Sequence, residues 1–267
     1  MLILRIRGQK IILLDALAKY ASREDKRLYY WTLWLNIPVE MIYEIERNFT
    51  MRSKFDEQLQ NLNNEMIEMG NRIVSAISQA ISALSKKDSE LAEIIMKQDT
   101  EIDHMQKEIE NICFDLLIQQ QPVAKDLRII TAAMKMVTDM ERIGDHAADI
   151  SEMTMLMGEN SKIDRFDHIG KMAAETMLML NQSIEAYVNR NQNEAKAVIN
   201  YDDIVDDLFC KVKREIIQMI RDNPEEGEDA ADLLMVAKYF ERIGDHATNI
   251  AEWVIYSLKT SETGNEI

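Results

Sequence analysis

Apolar residues recur along this chain in alternating steps of four and three, the signature of one buried stripe on an α-helix. Met136, Met140, Ile143, Ala147 and Ile150 form one such stripe, and Val236, Phe240, Ile243, Ala247, Ile250 and Val254 form another. Leu91, Ile95, Ile102, Met105, Ile109, Ile112 and Leu116 trace a third. Stripes of this width bury only against other helices. With breakers and cap-forming residues at Lys86 to Asp88, Gln121-Pro122, Gly158 to Lys162, Asn189 to Asn193 and Asp222 to Gly227, the pattern predicts six helices. They run from Arg52 to Ser85, Asp88 to Gln120, Ala124 to Met157, Asp164 to Asn189, Asn193 to Arg221, and Glu228 to Lys259.

The helices fall into two sets of three, because the chain repeats itself. Glu141 to Ala147 reads Glu-Arg-Ile-Gly-Asp-His-Ala, and the same seven residues return from Glu241 to Ala247. Asp99-x-x-Ile102-Asp103 returns as Asp202-x-x-Val205-Asp206, and Pro122 and Pro224 each precede the segment that leads to the repeated motif. A period of about a hundred residues is too long for a solenoid unit and points to duplication of a small domain. The expected fold is all-α, two tandem three-helix bundles with a pseudo-twofold internal repeat, over 51–160 and 161–260, with a tail at 261–267.

Residues 1–50 differ from the rest. They hold seven of the 17 aromatic residues and are nearly neutral, whereas the later 217 residues carry 23 basic and 41 acidic side chains, a net of −18. No helical period joins them to the helices downstream, so a natural start at Met51 is expected, the alternative being a genuine extension that packs on the bundle through its aromatics. Glu46-Arg47-Asn48 can be written in codons as a purine-rich ribosome-binding sequence at a suitable distance upstream.

Composition narrows the functional classes. The formal charge of −16, without a Lys/Arg cluster, argues against nucleic acid as a partner. No apolar run approaches the roughly 20 residues of a membrane span. Cys113 and Cys210 lie in no metal-binding or redox spacing and are expected to be reduced, as in the cytoplasm.

The motif's chemistry lies in its carboxylates. Glu141, Asp145 and Asp149 are four apart and form a row along one helix face, repeated by Glu241, Asp245 and Asn249. At ~100° per residue the row lies away from the main apolar stripe, and it is expected to be accessible. Like charges at this spacing destabilise a helix by ~0.2–0.5 kcal/mol per pair, so a row kept twice calls for a positive partner. Arg142 and Arg242 offer part of it, and a bound cation would offer more; oxygen-only ligands favour hard or borderline ions such as iron, manganese, magnesium or calcium. His146 and His246 point ~100° away from the neighbouring Asp and are expected to take a polar surface role or to hydrogen-bond between helices. Gly144 and Gly244 stand mid-helix, where Gly costs about 1 kcal/mol relative to Ala, and mark a close neighbour. Di-iron oxygen chemistry uses Glu-x-x-His, whereas every repeated spacing here is four, and no nucleophile motif or P-loop is present. A metal-free adaptor whose acidic rows dock on basic partner surfaces is the alternative.

With this motif in the third helix of each half, Asp99-x-x-Ile102-Asp103 in the second, and Gln119 to Arg128 reading Gln-Gln-Gln-Pro-Val-Ala-Lys-Asp-Leu-Arg, the chain from Met51 to about Lys259 resembles the PhoU family of phosphate-transport regulators. The resemblance implies a non-enzymatic repressor of phosphate uptake and phosphate-starvation signalling. It would act between the ATPase subunit of the Pst transporter and a phosphate-sensing histidine kinase, as a cytoplasmic homodimer reaching the membrane only through its partners. It also implies a multinuclear metal cluster, with iron first and manganese, magnesium or zinc as alternatives. Glu141, Asp145, Glu241 and Asp245 are then the foremost ligands, followed by Asp149, Asp99, Asp103, Asp202 and Asp206. Asn249 would weaken the second row, and Arg142 and Arg242 become partner-binding residues. Residues 1–50 have no counterpart in the family pattern.

Overall fold

The computed structural model describes residues 3–6, 9–12, 39–119, 122–157 and 167–259, with side chains over 52–118, 122–157 and 167–259. The chain divides into two compact units, Met1–Lys54 and Phe55–Ile267. The first contains an antiparallel hairpin, β1 (Ile3–Ile6) and β2 (Gln9–Ile12), with Ile3 opposite Ile12 and Ile6 opposite Gln9. No strand was expected here; the concentration of Ile at 3, 6, 11 and 12 supplies the β-branched side chains that a strand favours.

Among the described residues there are six α-helices: α1 (Val39–Lys86), α2 (Ser89–Gln119), α3 (Ala124–Met157), α4 (Asp167–Val188), α5 (Gln192–Asp222) and α6 (Gly227–Leu258). The ends of α3 are those the sequence predicts, and α2, α5 and α6 agree within a residue or so. The predicted α4 start falls partly on residues outside the described ones. Helix α1 differs most. It begins at Val39, not Arg52, and runs without a break through Met51. Val39, Ile42 and Ile45 repeat at three-residue steps among good helix formers, right after Pro38, so a start signal was present.

Local chemistry sets the helix ends. Lys87 takes a left-handed φ of 56°, and the Asp88 carboxylate accepts from the Leu91 N–H at 2.9 Å, ending α1 and opening α2. Arg190, at φ 52°, and Asn191, whose side chain accepts from the Asn193 and Glu194 N–H groups, do the same between α4 and α5. Pro224 opens a short 3-10 turn before α6. Small polar residues inside the bundle return their hydroxyls to the preceding turn: Ser151 donates to Ala147 O at 3.0 Å, and Thr154 to Ile150 O at 3.0 Å.

In the second unit α2 packs on α3, α5 on α6, and α4 on both α5 and α6. The two motif helices, α3 and α6, pack on each other, so the predicted halves share one core. Met136, Met140, Ile143, Ala147 and Ile150 are fully buried, and so are their counterparts Val236, Phe240, Ile243, Ala247 and Ile250. These are the seam residues the periodicity picked out. Among the described residues no helix is long and apolar enough to cross a membrane.

The mid-helix glycines are contact points. A Cβ on Gly144 would lie 2.9 Å from Ile102 Cγ2 and 3.0 Å from its Cδ1, so α2 sits against bare α3 backbone. On Gly244 it would lie 3.3 Å from Asp202 Oδ1 and 3.4 Å from Val205 Cγ1. Gly144→Ala should lower stability by about 1–3 kcal/mol through overpacking, partly offset by helix propensity. Gly244→Ala, with looser contacts, should lose less. Urea unfolding of the two variants checks the order, and equal stabilities would contradict this packing.

Candidate functional site

Gly144 allows Ile102 to seat against α3, and with Ile102 come the residues that flank it on α2, Asp99 and Asp103. The Asp99 Oδ1 atom stands 3.6 Å from where a Gly144 Cβ would be. Asp99, Asp103 and Asp145 each present a carboxylate oxygen to a common region, all within 4.8 Å of one another. Glu141 is one turn before Asp145, and Arg142 reaches both from the solvent edge, its Nη1 donating to Asp145 Oδ2 at 3.0 Å and its Nε lying 3.4 Å from Glu141 Oε2.

The row was expected to be accessible, and it is half-buried. The side chain of Glu141 is 16% exposed and that of Asp145 31%. The angular reading placed the row away from the α3–α6 seam, correctly, but α2 covers that other flank because the glycine lets it come close. Crowding shows in the electrostatics. Burial first, then Asp145, Asp103, Glu141 and Asp149, push the Asp99 carboxyl up to about 6. Burial and Asp145 raise Glu141 against the pull of Arg142. Asp99 Oδ1 and Glu141 Oε2 are both buried without a hydrogen-bond partner. Buried carboxylate oxygens that face other carboxylates, Asp99 Oδ1 unpartnered and Glu141 Oε2 paired with the Arg142 guanidinium at 3.4 Å, are what a cation would complete.

The second half repeats this with differences. Burial, Asp206 and Asp245 push Asp202 up to about 6, with the Thr248 hydroxyl opposing. Asp245 is raised by burial and Glu241, and Lys238 opposes that rise. The Lys238 ammonium donates to the Glu241 carboxylate. Lys238 was not singled out in the sequence; its counterpart one period earlier is Thr138, so a search for repeated residues passes over it.

The last residue of each row serves a different place. Asp149 pairs with His146 Nδ1 at 3.0 Å, though it still adds to the charge felt by Asp99. Asn249, expected to end the second row, donates instead to Asp139 Oδ1 at 3.1 Å across the α3–α6 interface, and His246 Nδ1 bonds the same oxygen at 2.9 Å. His146 stacks on Tyr239, their rings 5.4 Å apart, and lies 5.8 Å from His246. Burial lowers the His146 pKa although Asp149 raises it. His246 therefore makes the inter-helix hydrogen bond expected of it, whereas His146 bonds within α3 and meets α6 through its ring. Asp139 was missed, because Tyr239 replaces it in the second half. Arg242 lies close enough to His146 and Tyr239 to favour their less positive forms. Cys113 is buried and Cys210 exposed, and both are free thiols.

Similarity to known proteins tracks the repeat. The family model described as PhoU domain matches twice, over residues 66–154 and 169–254. A phosphate-specific transport system accessory protein PhoU homolog of Clostridium acetobutylicum is 38% identical over 217 residues, covering 81% of this chain and 97% of that protein. The homolog of the same description from Aquifex aeolicus is 36% identical over 189 residues, covering 71% and 86%. The crystal structure of PhoU from Pseudomonas aeruginosa superposes with a TM-score of 0.73 at 29% identity, covering 76% of this chain and 98% of that one. The crystal structure of the phosphate transport system regulatory protein PhoU from Streptococcus pneumoniae gives 0.71 at 29% identity, covering 80% and 99%.

The electrostatics and the inter-helix bridge can each be tested by one substitution. A carboxyl raised in the folded state weakens the fold above its folded pKa, and the penalty disappears once pH falls below the unfolded value of ~3.9. Asp99→Asn should therefore raise the melting temperature of chelator-treated protein at pH 7.5, with the gain fading between about pH 6 and pH 4. A gain independent of pH would contradict the electrostatic cause. Asp139→Ala leaves His246 and Asn249 without their shared acceptor and should cost about 1–3 kcal/mol in chemical denaturation; no loss would show that this bridge is idle.

Proposed function

The chain belongs to the PhoU family, a family of regulatory accessory proteins and not of enzymes, and from that premise we propose that it is a negative regulator of phosphate uptake and phosphate-starvation signalling. The observation that carries the reading is the double match: both halves fit the PhoU domain, and each places the same seven-residue motif on a helix that packs on its counterpart. A regulator needs surfaces and states, not a nucleophile. The partners fitting this role are the ATPase subunit of a phosphate transporter and a phosphate-sensing histidine kinase, met by a cytoplasmic protein that acts as a homodimer. Arg142 and Arg242, both exposed on the motif helices, are the proposed partner contacts.

The acidic residues fit a hard or borderline cation. Asp99, Asp103, Glu141 and Asp145 would hold it in the first half, and Asp202, Asp206, Glu241 and Asp245 in the second. The fit rests on the converging oxygens of Asp99, Asp103 and Asp145 and on the unpartnered Asp99 Oδ1. Iron, in a multinuclear cluster, is the first expectation, and manganese, magnesium or zinc are the alternatives. When bound, the metal supplies positive charge that ties α2 to α3 and α5 to α6. These carboxylates position it and, once neutralised by it, no longer push the helices apart.

Deleting the gene should raise phosphate uptake and derepress a phosphate-starvation promoter in phosphate-replete cells, and the intact gene should restore both. Cells in which neither readout changes would contradict the proposed role. The variant Glu141→Gln with Asp145→Asn should complement less well than wild type at equal protein level.

A further inference from the structure

The two acidic clusters come from matching positions of the repeat, but among the described residues only the first brings three carboxylate oxygens within 4.8 Å of one another, and the two are compensated differently. Glu241 is bonded to the ammonium of Lys238, which stands one turn earlier on α6. That ammonium lies 5.4 Å from the centre of the Phe209 ring of α5. Lys238 is thus turned toward the helix that supplies Asp202 and Asp206. One period earlier stands Thr138, whose hydroxyl donates to its own backbone, to Met134 O at 3.2 Å, and brings no charge. In the register that matches Asp99 with Asp202, Phe209 corresponds to Gln106 and Lys213 to Glu110. Glu110 adds negative charge around Glu141. The first cluster's own cation, Arg142, is 56% exposed against 36% for Lys238 and contacts Glu141 and Asp145 from the solvent edge, where water screens its charge more strongly.

We propose that Lys238 is a built-in counter-cation of the second cluster, so that this chain takes up divalent ions in its first half in preference to its second. The lysine competes for the carboxylate that a metal would need, and a metal entering beside an ammonium meets like charge at short range. The inference rests on the cation reading of the acidic clusters and adds that the two halves are unequal in it. A regulator with one exchangeable ion site and one internally closed site can loosen one half while the other keeps its shape.

The test is Mn2+ binding by the full chain, stripped with chelator and titrated, with bound ion counted by elemental analysis and folding checked by circular dichroism. Wild type should bind through the first half, with affinity falling at least about tenfold in Asp145→Asn and little in Asp245→Asn. Lys238→Thr, which copies the first half, should gain a second tight site that Asp245→Asn then removes, whereas Lys238→Arg, which keeps the charge, should gain none. A Lys238→Thr protein that is folded and gains no ion overturns the inference, as does wild-type binding equally sensitive to Asp145→Asn and Asp245→Asn. If wild type binds no Mn2+ while Lys238→Thr gains a site dependent on Asp245, the lysine's role stands and the cation reading of the first half falls.

Discussion

Everything distinctive in this molecule depends on the place where α2 lies against the bare backbone of α3 at Gly144. A glycine in the middle of a 34-residue helix is unfavourable by itself, and what it permits is the seating of Ile102 at a distance that a Cβ would obstruct. The residues around Ile102 are aspartates, so the same contact that buries an isoleucine brings two carboxylates against a third. Apolar packing thereby holds together charges that repel. Burial first, and then the repulsion, push the Asp99 carboxyl up to about 6, and its Oδ1 is buried without a hydrogen-bond partner. Duplication repeats the device at Gly244 with Asp202 and Val205.

The second constraint is the union of the halves. Because α3 and α6 pack on each other, the acidic clusters occupy the outer flanks of a shared pair of helices while the histidines line their junction. Asp139 joins the two helices by accepting from both His246 and Asn249. A change in the separation of α2 from α3 is therefore applied to a helix that also belongs to the core of the other half. This arrangement suits a protein whose output is a shape presented to partners.

Much of this was legible in the sequence because helical periodicity reports burial directly. The seams of α3 and α6 are fully buried, and the ends of α3 are set by Pro122 and by the close of the apolar pattern at Met157. The repeat picked out the aspartates of α2, and the resemblance to the PhoU family set them beside the motif as ligand candidates. Other features were hidden for physical reasons. A helix's own period shows its main buried face and says little about a second neighbour, which is why the acidic row read as open. Reading by repetition favours what is shared, so Asp139 and Lys238, each present in one half only, escaped it. Asn249 reads as a weakened ligand because it stands in register with Asp149, and nothing in the sequence marks its amide as a donor to Asp139 at the junction. The early start of α1 was obscured by the change in composition at Met51, since composition marks a change of environment and not the end of a hydrogen-bonded helix.

The most direct measurement is the elemental content of the full chain purified without chelator, read together with its thermal unfolding before and after chelator treatment. Closely packed carboxylates completed by a cation require a hard or borderline metal that copurifies with the protein, and a melting temperature that falls when it is removed and recovers when it is returned. A metal-free preparation whose unfolding is indifferent to chelator and to added metal would contradict it, and would leave the acidic clusters as docking surfaces alone.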